Sequence, residues 1–587
     1  MSFTPRSAPP GSVLARSQAE ARTAAVQARM AAEESPPIVR ASGVISGFSS
    51  FAERTRELRA QLDVTARSSA FRATVAAAAP AVAAARSVKS ARTGVAFDEH
   101  QLELIHAQDR VVIGEAVAGS GKTTTSIGFA DARPDQTFLY MCFGADNAAQ
   151  AQKRFGGGHV TARTTHGLAW RAGGHTFSDR LVSSWRPREI AAALGIDNRL
   201  AACVGKTLAS FYASVDAGID EVHLATTLEW GLNHAEQGHV LTQARKAWRS
   251  VQEAGSPLPV THDTYLKLWA LTNPRLDFDY LILDEAQDTN PLTEQLVMGQ
   301  LGHCKLLAIG DRHQSIYGFR GATNAMENLR EIDGCRVVTM PRTWRFGPRT
   351  AEIANQVLKN LKGETVAIQG MGTDGGWTQR STLLTRTNAG LFDEAVTRQG
   401  RGMHWVGGVE KYNLRIIEDA YRIWTNKNGE VRDPYMRRFR SWGEVVDYAD
   451  STRDAETRSL IKLVETHKSA LPTLIAAVVR NEVKDPAQAE LQLTTAHKAK
   501  GMEYDCVRLG EDFEVLYGAE KEMCETGSLS AATEQEINLI YVGITRARRM
   551  VRLNTETEQW LAELPRLQIE RMRALGRGNF HAEAPRG

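Results

Sequence analysis

The stretch Ala116-Val-Ala-Gly-Ser-Gly-Lys122-Thr123 constrains this chain more than any other. It follows an apolar run, Val111-Val-Ile113, and precedes a helical pattern, the strand–loop–helix order of a phosphate-binding loop. Such a loop belongs at the end of a parallel strand that feeds a helix, so it commits the surrounding chain to an α/β fold. Gly119 and Gly121 let the backbone from Ala118 through Ser120 approach phosphate oxygens closely. Lys122 has the reach for the β and γ oxygens of a nucleoside triphosphate, and the hydroxyl of Thr123 suits Mg²⁺, with Thr124 beside it. Ala116 stands where the general pattern has glycine, and a small residue still makes the turn.

A second apolar run, Tyr280-Leu-Ile-Leu283, ends in Asp284-Glu285-Ala-Gln287-Asp288. Carboxylates that leave a buried parallel strand at its carboxyl end emerge where open α/β sheets bind ligands. Asp284 is the candidate metal ligand, and Glu285 the candidate to orient and deprotonate an attacking water. Two solvated acids after a strand are the bland alternative, and Gln287 with Asp288 extends the match beyond it. ATP and Mg²⁺ are the expected ligands.

The rest of the chain supports two such domains. Phe138-Leu-Tyr-Met141, Leu281-Ile-Leu283 and Leu306-Leu-Ala-Ile309 read as strands of one parallel sheet with Val111-Val-Ile113. Val337-Val-Thr339, Thr382-Leu-Leu384, Leu491-Gln-Leu-Thr494, Cys506-Val-Arg-Leu509 and Met550-Val-Arg-Leu553 read as a second. The expected division is 96–170 with 259–333 as the first α/β domain, interrupted by a helical insertion at 171–258. The second would be 334–400 with 490–556, interrupted by a smaller insertion at 401–489, before a tail at 557–587. No sequence repeat is evident. Residues 1–95 differ: up to position 90 they hold twelve basic residues, eleven of them Arg, against six acidic ones, with few bulky apolar side chains. They read as a disordered or loosely helical extension, or as a targeting, docking or DNA-tethering segment.

Composition narrows the rest. A net charge of +3 means that any nucleic-acid surface must be a local patch. Six scattered cysteines without a Cys-x-x-Cys pair argue against a zinc or iron–sulfur module and fit a reducing, intracellular compartment. No stretch approaches ~18 uninterrupted apolar residues, so no membrane span is expected.

With these residues in place the chain resembles the superfamily 1 helicases of the UvrD/Rep/PcrA type, from about Phe97 to Asn554. The resemblance implies two RecA-like domains. Gln101, 21 residues before Lys122, matches that family's adenine-reading glutamine. Gly310-Asp311-Arg-His-Gln314-Ser-Ile-Tyr317-Gly-Phe319-Arg320 resembles its segment joining the γ-phosphate sensor to the DNA groove. Thr343-Trp344-Arg345-Phe346 resembles its stacking aromatic and phosphate-contacting arginine; Trp344 replaces the commoner Tyr or Phe. Thr495-Ala-His497-Lys-Ala-Lys500-Gly501-Met-Glu503 and Tyr541-Val-Gly-Ile-Thr545-Arg546 resemble its two late motifs. By this likeness Gln314, Arg345 and Arg546 converge on the γ-phosphate and Glu503 holds the ribose. Phe143, His166, Tyr317, Phe319, Arg320 and His497 fall in segments similar to the single-strand groove. For His166 a structural hydrogen bond stands equally beside a DNA contact, Phe143 and Phe319 could also be core, and His497 could couple the two sites instead of touching DNA.

Thr261-His262-Asp263-Thr-Tyr265-Leu-Lys-Leu-Trp269 is similar to the signature of the F-box DNA helicase branch, although no F-box is evident in residues 1–95. Gly144-Ala145 stands in place of the family's Asn-Lys after Phe143. The resemblance implies an ATP-dependent 3′→5′ DNA helicase or single-strand translocase, acting on single strands, tailed duplexes or junctions in recombination or repair. Recombinase filaments, or a protein held by residues 1–95, are further candidate partners. The location expected is the nucleoid of a bacterium or phage host, or a nucleus. The competing reading is an ATP-gated switch that remodels a partner complex, in a defence or mobile-element system, without processive unwinding.

Overall fold

Thirteen strands, β1 to β13, build the chain's sheets in the computed structural model, which describes residues 94–156, 158–224, 232–253, 255–318, 324–398, 402–433, 435–452 and 454–574. These residues lie in one compact unit, Val88–Gly587. The first sheet comprises β1 (Val111–Ala116), β2 (Phe138–Met141), β3 (Val160–Arg163), β4 (Tyr280–Asp284), β5 (Lys305–Gly310) and β6 (Arg336–Met340). Its order is β3-β2-β4-β5-β1-β6, parallel throughout. All four residues of β2 are buried, as expected of a strand covered on both faces. One face packs Val112, Tyr140, Ile282 and Ile309 with Phe129 and Phe155, and the other packs Ile113, Leu139, Leu283 and Ala308 with Leu296 and Leu329.

A two-residue pair, β7 (Arg342–Thr343) and β8 (Gln369–Gly370), marks the crossing to the second half. The second sheet comprises β9 (Ser381–Thr385), β10 (Met403–Trp405), β11 (Leu491–Thr495), β12 (Tyr504–Leu509) and β13 (Ala547–Arg552), in the order β10-β11-β9-β12-β13 and again parallel. These are the two RecA-like α/β domains the sequence implied. Val337-Val-Thr339, grouped above with the second sheet, instead pairs with β1 on the edge of the first, with Ile113 opposite Val337. A β-branched run carries no label for the sheet it joins. The crossing therefore follows Met340.

The two insertions differ in how they are held. The first carries its own core, in which Ile190, Val204, Leu208, Phe211, Val240 and Val251 meet from three helices, Pro187–Leu194, Asn198–Ala213 and His234–Val251. The second shares one core with the sheet: Leu383, Leu491 and Leu493 pack with Trp405, Tyr412, Ile417, Leu460 and Ile475. Its first residues form β10, so the segment from 401 completes the sheet as well as covering it. Residues 1–93 and 575–587 lie outside the described residues.

This contrast predicts a local effect. Phe211 is fully buried against Tyr212, Trp248 and the ammonium of Lys267, 4.3 Å from its ring centre. Phe211→Ala should cost the first insertion about 3–5 kcal/mol. Hydrogen exchange should then rise across 187–251 while the strands of both sheets keep their protection.

Candidate nucleotide and nucleic-acid site

β1 ends at Ala116 and the chain turns through Gly119 (φ 77°) and Gly121 (φ 85°) into the helix Lys122–Asp131. Both angles lie in the left-handed region that glycine enters at no cost. A Cβ on Gly119 would stand 2.5 Å from Cβ of Arg345, so the second half of the chain approaches too closely for any side chain there. The amide of Trp344 donates to Gly119 O at 3.0 Å. Gln101 Nε2 donates to Ser120 O at 3.0 Å, and its Oε1 accepts from the amide of Asp98 at 3.0 Å. Gln101 thus touches the loop, with its amide serving as both helix cap and brace.

The acids of β4 sit beside the loop, because only β5 separates β4 from β1. Lys122 Nζ lies 3.3 Å from Glu285 Oε2. Burial opposes the charge on Lys122, but Glu285, Asp311 and Asp284 outweigh it and hold the ammonium above its ordinary pKa. Burial, with the Glu285 charge beside it, pushes Asp284 up to about 6. Burial also works to raise Glu285, yet Lys122, Lys500 and the Gln287 amide hold it down at about 2. Adjacent carboxylates pushed in opposite directions have different tasks open to them. Glu285 also adopts φ 52° and ψ 44°, a left-handed backbone that costs a non-glycine residue free energy and is over-represented at working sites.

Several positioning contacts have no signature in the motif spacing. Tyr140 Oη donates to Asp284 Oδ2 and also meets Thr123, so one phenol holds both candidate metal ligands. Gln287 Nε2 donates to Glu285 Oε2 at 2.7 Å, while its Oε1 accepts from the amide of Asp311 at 3.0 Å. Lys500, from the second half, pairs with Asp288 and donates to Gln314 O at 2.5 Å. Arg154 Nη2 donates to Thr124 Oγ1 at 3.1 Å. The only sequence signal for Tyr140 was its place in a strand neighbouring β4, where it pairs with Ile282.

Gln314 from the first half meets Arg546 from the second, and Arg345 lies nearby in the second. Gln314 Nε2 donates to Asp311 Oδ2 at 2.8 Å, and Gln314 Oε1 accepts from Arg546 Nη2 at 3.1 Å. Arg546 is buried; that burial, with Arg345 nearby, pulls its guanidinium down to about 9, still charged at neutral pH. Arg345 donates to Glu503 Oε1 at 2.8 Å and to Thr545 O at 3.0 Å. Tyr541 joins the halves again: its Oη donates to Asp311 Oδ2 at 2.9 Å and accepts from the amide of Ala118, in the phosphate loop, at 3.3 Å. The side chain of Trp344 is 51% exposed, a free aromatic face beside the loop.

The residues fit a nucleotide and a divalent cation. Two glycines cradle the loop, Ser120 Oγ is buried without a partner among the described residues, and an ammonium and two guanidiniums surround three carboxylates. Thr123 and Asp284 would hold the metal.

Tyr317 and His497, two of the residues expected at a single-strand surface, line a groove of about 650 Å³ with Arg386, Lys411 and Lys498. Tyr317 Oη donates to His497 O at 3.4 Å, and the ammonium of Lys500 stands 4.9 Å from the Tyr317 ring centre. Phe143 is 47% exposed, so it is not core. His166 Nε2 meets Asp263 Oδ1 at 2.8 Å, which ties it to the Thr261–Trp269 segment. Phe319 and Arg320 lie outside the described residues.

The model of the UvrD/REP helicase N-terminal domain matches residues 261–332, and that of the UvrD-like helicase C-terminal domain matches 408–557. The chain is 28% identical over 517 residues to F-box DNA helicase 1 of Gallus gallus, covering 79% of this chain and 50% of that protein. It is 27% identical over 490 residues to F-box DNA helicase protein 1 of Schizosaccharomyces pombe, covering 75% and 55%. To ATP-dependent DNA helicase UvrD2 of Mycobacterium tuberculosis it is 25% identical over 321 residues, covering 46% of each. The chain spans about half the length of the curated relatives it matches. The two matched segments are similar to the N- and C-terminal domains of UvrD-like helicases, and the relatives matched over most of this chain carry DNA helicase names.

The raised pKa of Asp284 yields a prediction. A carboxyl whose folded value, about 6, exceeds its ordinary 3.8 favours the fold below about pH 4 and costs stability as pH rises through 6. Asp284→Asn should therefore raise the nucleotide-free melting temperature at pH 7.5, by the equivalent of roughly 1–2 kcal/mol, with the gain vanishing towards pH 4. Calorimetry across that range checks it.

Proposed function

We propose that this protein is an ATP-dependent 3′→5′ DNA helicase or single-strand translocase. The observation that carries the reading is the contact between Gln314 and the buried Arg546, from opposite halves, beside Lys122 and Glu285. A pocket whose walls belong to two domains ties the chemistry of one ATP to their relative position.

In this reading Ala118, Gly119, Ser120 and Gly121 wrap the phosphates, Trp344 stacks on the base, and Glu503 takes the ribose. Gln101 braces the loop on the adenine side. A magnesium ion, when bound, neutralises phosphate charge. Arg345 and Arg546 face the charge that develops on the departing phosphoryl group, where a placed arginine contributes about 10³–10⁵ in rate. Glu285 is too weak a base while Lys122 faces it. As Lys122 turns to the phosphates its hold on Glu285 relaxes, and the carboxylate gains basicity where the water is to be oriented. That coupling keeps the site idle without substrate.

Loss of the γ-phosphate removes the anion shared by Lys122 of one half and Arg345 and Arg546 of the other, and favours separation of the halves. Phe143, Tyr317, His497 and the lysines around them would grip a single strand by stacking and charge, at about 1–3 kcal/mol per stacked base. His166, bonded to Asp263, would order the groove wall. Phe319 and Arg320 are assigned to the same strand path on sequence likeness alone. Tailed duplexes and junctions are the expected substrates, in recombination or repair, and recombinase filaments are a candidate target.

A second reading, an ATP-gated switch without processive unwinding, draws on the second insertion, which is folded into the core of its sheet. Lys122→Ala and Arg546→Ala should each lower oligo-dT-stimulated ATPase by about 10³ or more. Unwinding of 3′-tailed but not 5′-tailed duplexes by the parent supports the helicase; strong stimulation with no strand separation favours the switch. Stimulated ATPase surviving in either variant would sink both. Trp344→Ala should raise KM for ATP by about tenfold with a smaller change in kcat, measured at saturating oligo-dT.

A further inference from the structure

Glu364 belongs to none of the motifs read from the sequence, yet its carboxylate accepts four hydrogen bonds. Two are local: the amides of Thr365 and Val366 donate to Oε1, each at 2.9 Å. The other two reach Oε2 from the first half, His313 Nε2 at 2.8 Å and Arg312 Nη2. The side chains of Glu364 and His313 are each only 9% exposed, so this contact is largely closed to water. Gly363 brings Glu364 there. It ends the helix Pro348–Lys362 in the left-handed region, at φ 65°, and turns the chain away from the helix axis.

Arg312 and His313 share a single turn with Gln314, just beyond β5. Asp311 stiffens that turn: its Oδ1 accepts from the amide of His313 at 3.0 Å and its Oδ2 from Gln314 Nε2 at 2.8 Å. Gln314 meets Arg546 while its two predecessors meet Glu364, so the second half grips the turn at two separate points. Hydrogen bonding from His313, with the Val366 amide and Arg312, holds Glu364 well below the usual carboxylate range against the opposing pull of burial. Burial lowers His313 in turn, although Glu364 and Asp311 favour its charge, so the ring is neutral near pH 7 and donates through Nε2. Its Nδ1 is buried with no partner among the described residues, and the ring stands edge-on to Tyr541, 5.8 Å between centres. Two of the four donors to Glu364 are in reach only while the halves are docked. The contact therefore ties docking to the turn that carries Gln314.

We propose that Glu364 is a positioning residue for ATP hydrolysis: from the second half it fixes the Arg312–Gln314 turn, so that Gln314 is aligned with Arg546 and the γ-phosphate only in the docked form. The proposal rests on the motor reading above. Glu364 itself touches neither nucleotide nor metal. Its loss should therefore spare nucleotide binding, which belongs to the phosphate loop and Trp344, and slow the step that needs both walls in register.

The test compares the full chain with Glu364→Gln, His313→Leu and His313→Gln. A glutamine amide can reproduce the Nε2–H of histidine, so His313→Gln keeps the donor that His313→Leu removes. At saturating oligo-dT, Glu364→Gln and His313→Leu should each lower kcat about tenfold, with KM for ATP within about twofold of the parent. His313→Gln should keep at least about a third of the parental kcat. The double variant Glu364→Gln with His313→Leu should fall within about twofold of either single one, as two ends of one contact do. In the nucleotide-free protein, hydrogen exchange across 311–316 should rise about tenfold in the two slow variants while the helix Lys122–Asp131 keeps its protection. An unchanged kcat in Glu364→Gln overturns the proposal. So does a KM that rises along with the fall in kcat, or a His313→Gln variant as slow as His313→Leu, either of which would leave the contact a structural one. If Glu364→Gln does not fold, Arg312→Gln, at the more exposed end of the contact, is read by the same two measurements. A parent whose ATPase ignores oligo-dT would defeat the motor reading, and the exchange measurement would still decide whether Glu364 fixes the turn.

Discussion

Three carboxylates within five residues, Asp284, Glu285 and Asp288, are tolerated because a lysine from each half of the chain answers them. Lys122 meets Glu285 from the phosphate loop, and Lys500 meets Asp288 from across the cleft. Removing either cation would leave buried negative charge uncompensated, which costs more than the pair itself contributes. The rest of the pocket is arranged around this balance. Gln287 joins Glu285 to the end of β5, and Tyr541 joins Asp311 to the phosphate loop. Each link crosses from one strand end, or one half, to another, so the pocket and the relative placement of the sheets are a single mechanical system.

That coupling explains why so few atoms carry the closure. Gly119 is in contact range of Arg345, the amide of Trp344 bonds its carbonyl, and Asn538 reaches Ser315 O at 2.8 Å. Arg345 and Arg546 sit near each other in the same wall, and their mutual repulsion adds to burial in lowering the pKa of Arg546. An anion entering between them relieves that repulsion. On the proposed reading an anion held between this wall and Lys122 of the other half would also couple binding to closure, without a long relay of side chains.

Much of this was legible in the sequence because it depends on local order. A phosphate loop announces its strand and its helix, and the run before Asp284 announces β4. The assignments that failed depend on which strand lies beside which. Val337-Val-Thr339 joined the first sheet, and β10 turned the start of the second insertion into part of the second sheet. β3 and β10 were not anticipated, being short edge strands; β3 alternates buried with half-buried positions. Tyr140 was visible only as part of a strand, and Gln287 and Lys500 only as members of their motifs, for the same reason. Their roles come from partners 144, 24 and 212 residues away, and no motif spacing encodes a contact of that kind.

The unequal cores of the two insertions bear on how such a chain can change over generations. A module that closes on its own hydrophobic centre, as 187–251 does, can be exchanged, enlarged or trimmed while its host sheet stays folded. The other lends Trp405 and Tyr412 to the very layer that covers β9 and β11, so its loss would strip a face of the sheet bare. New specificities should accordingly arise by grafting onto the first, whereas the second is bound to drift only in step with the sheet beneath it.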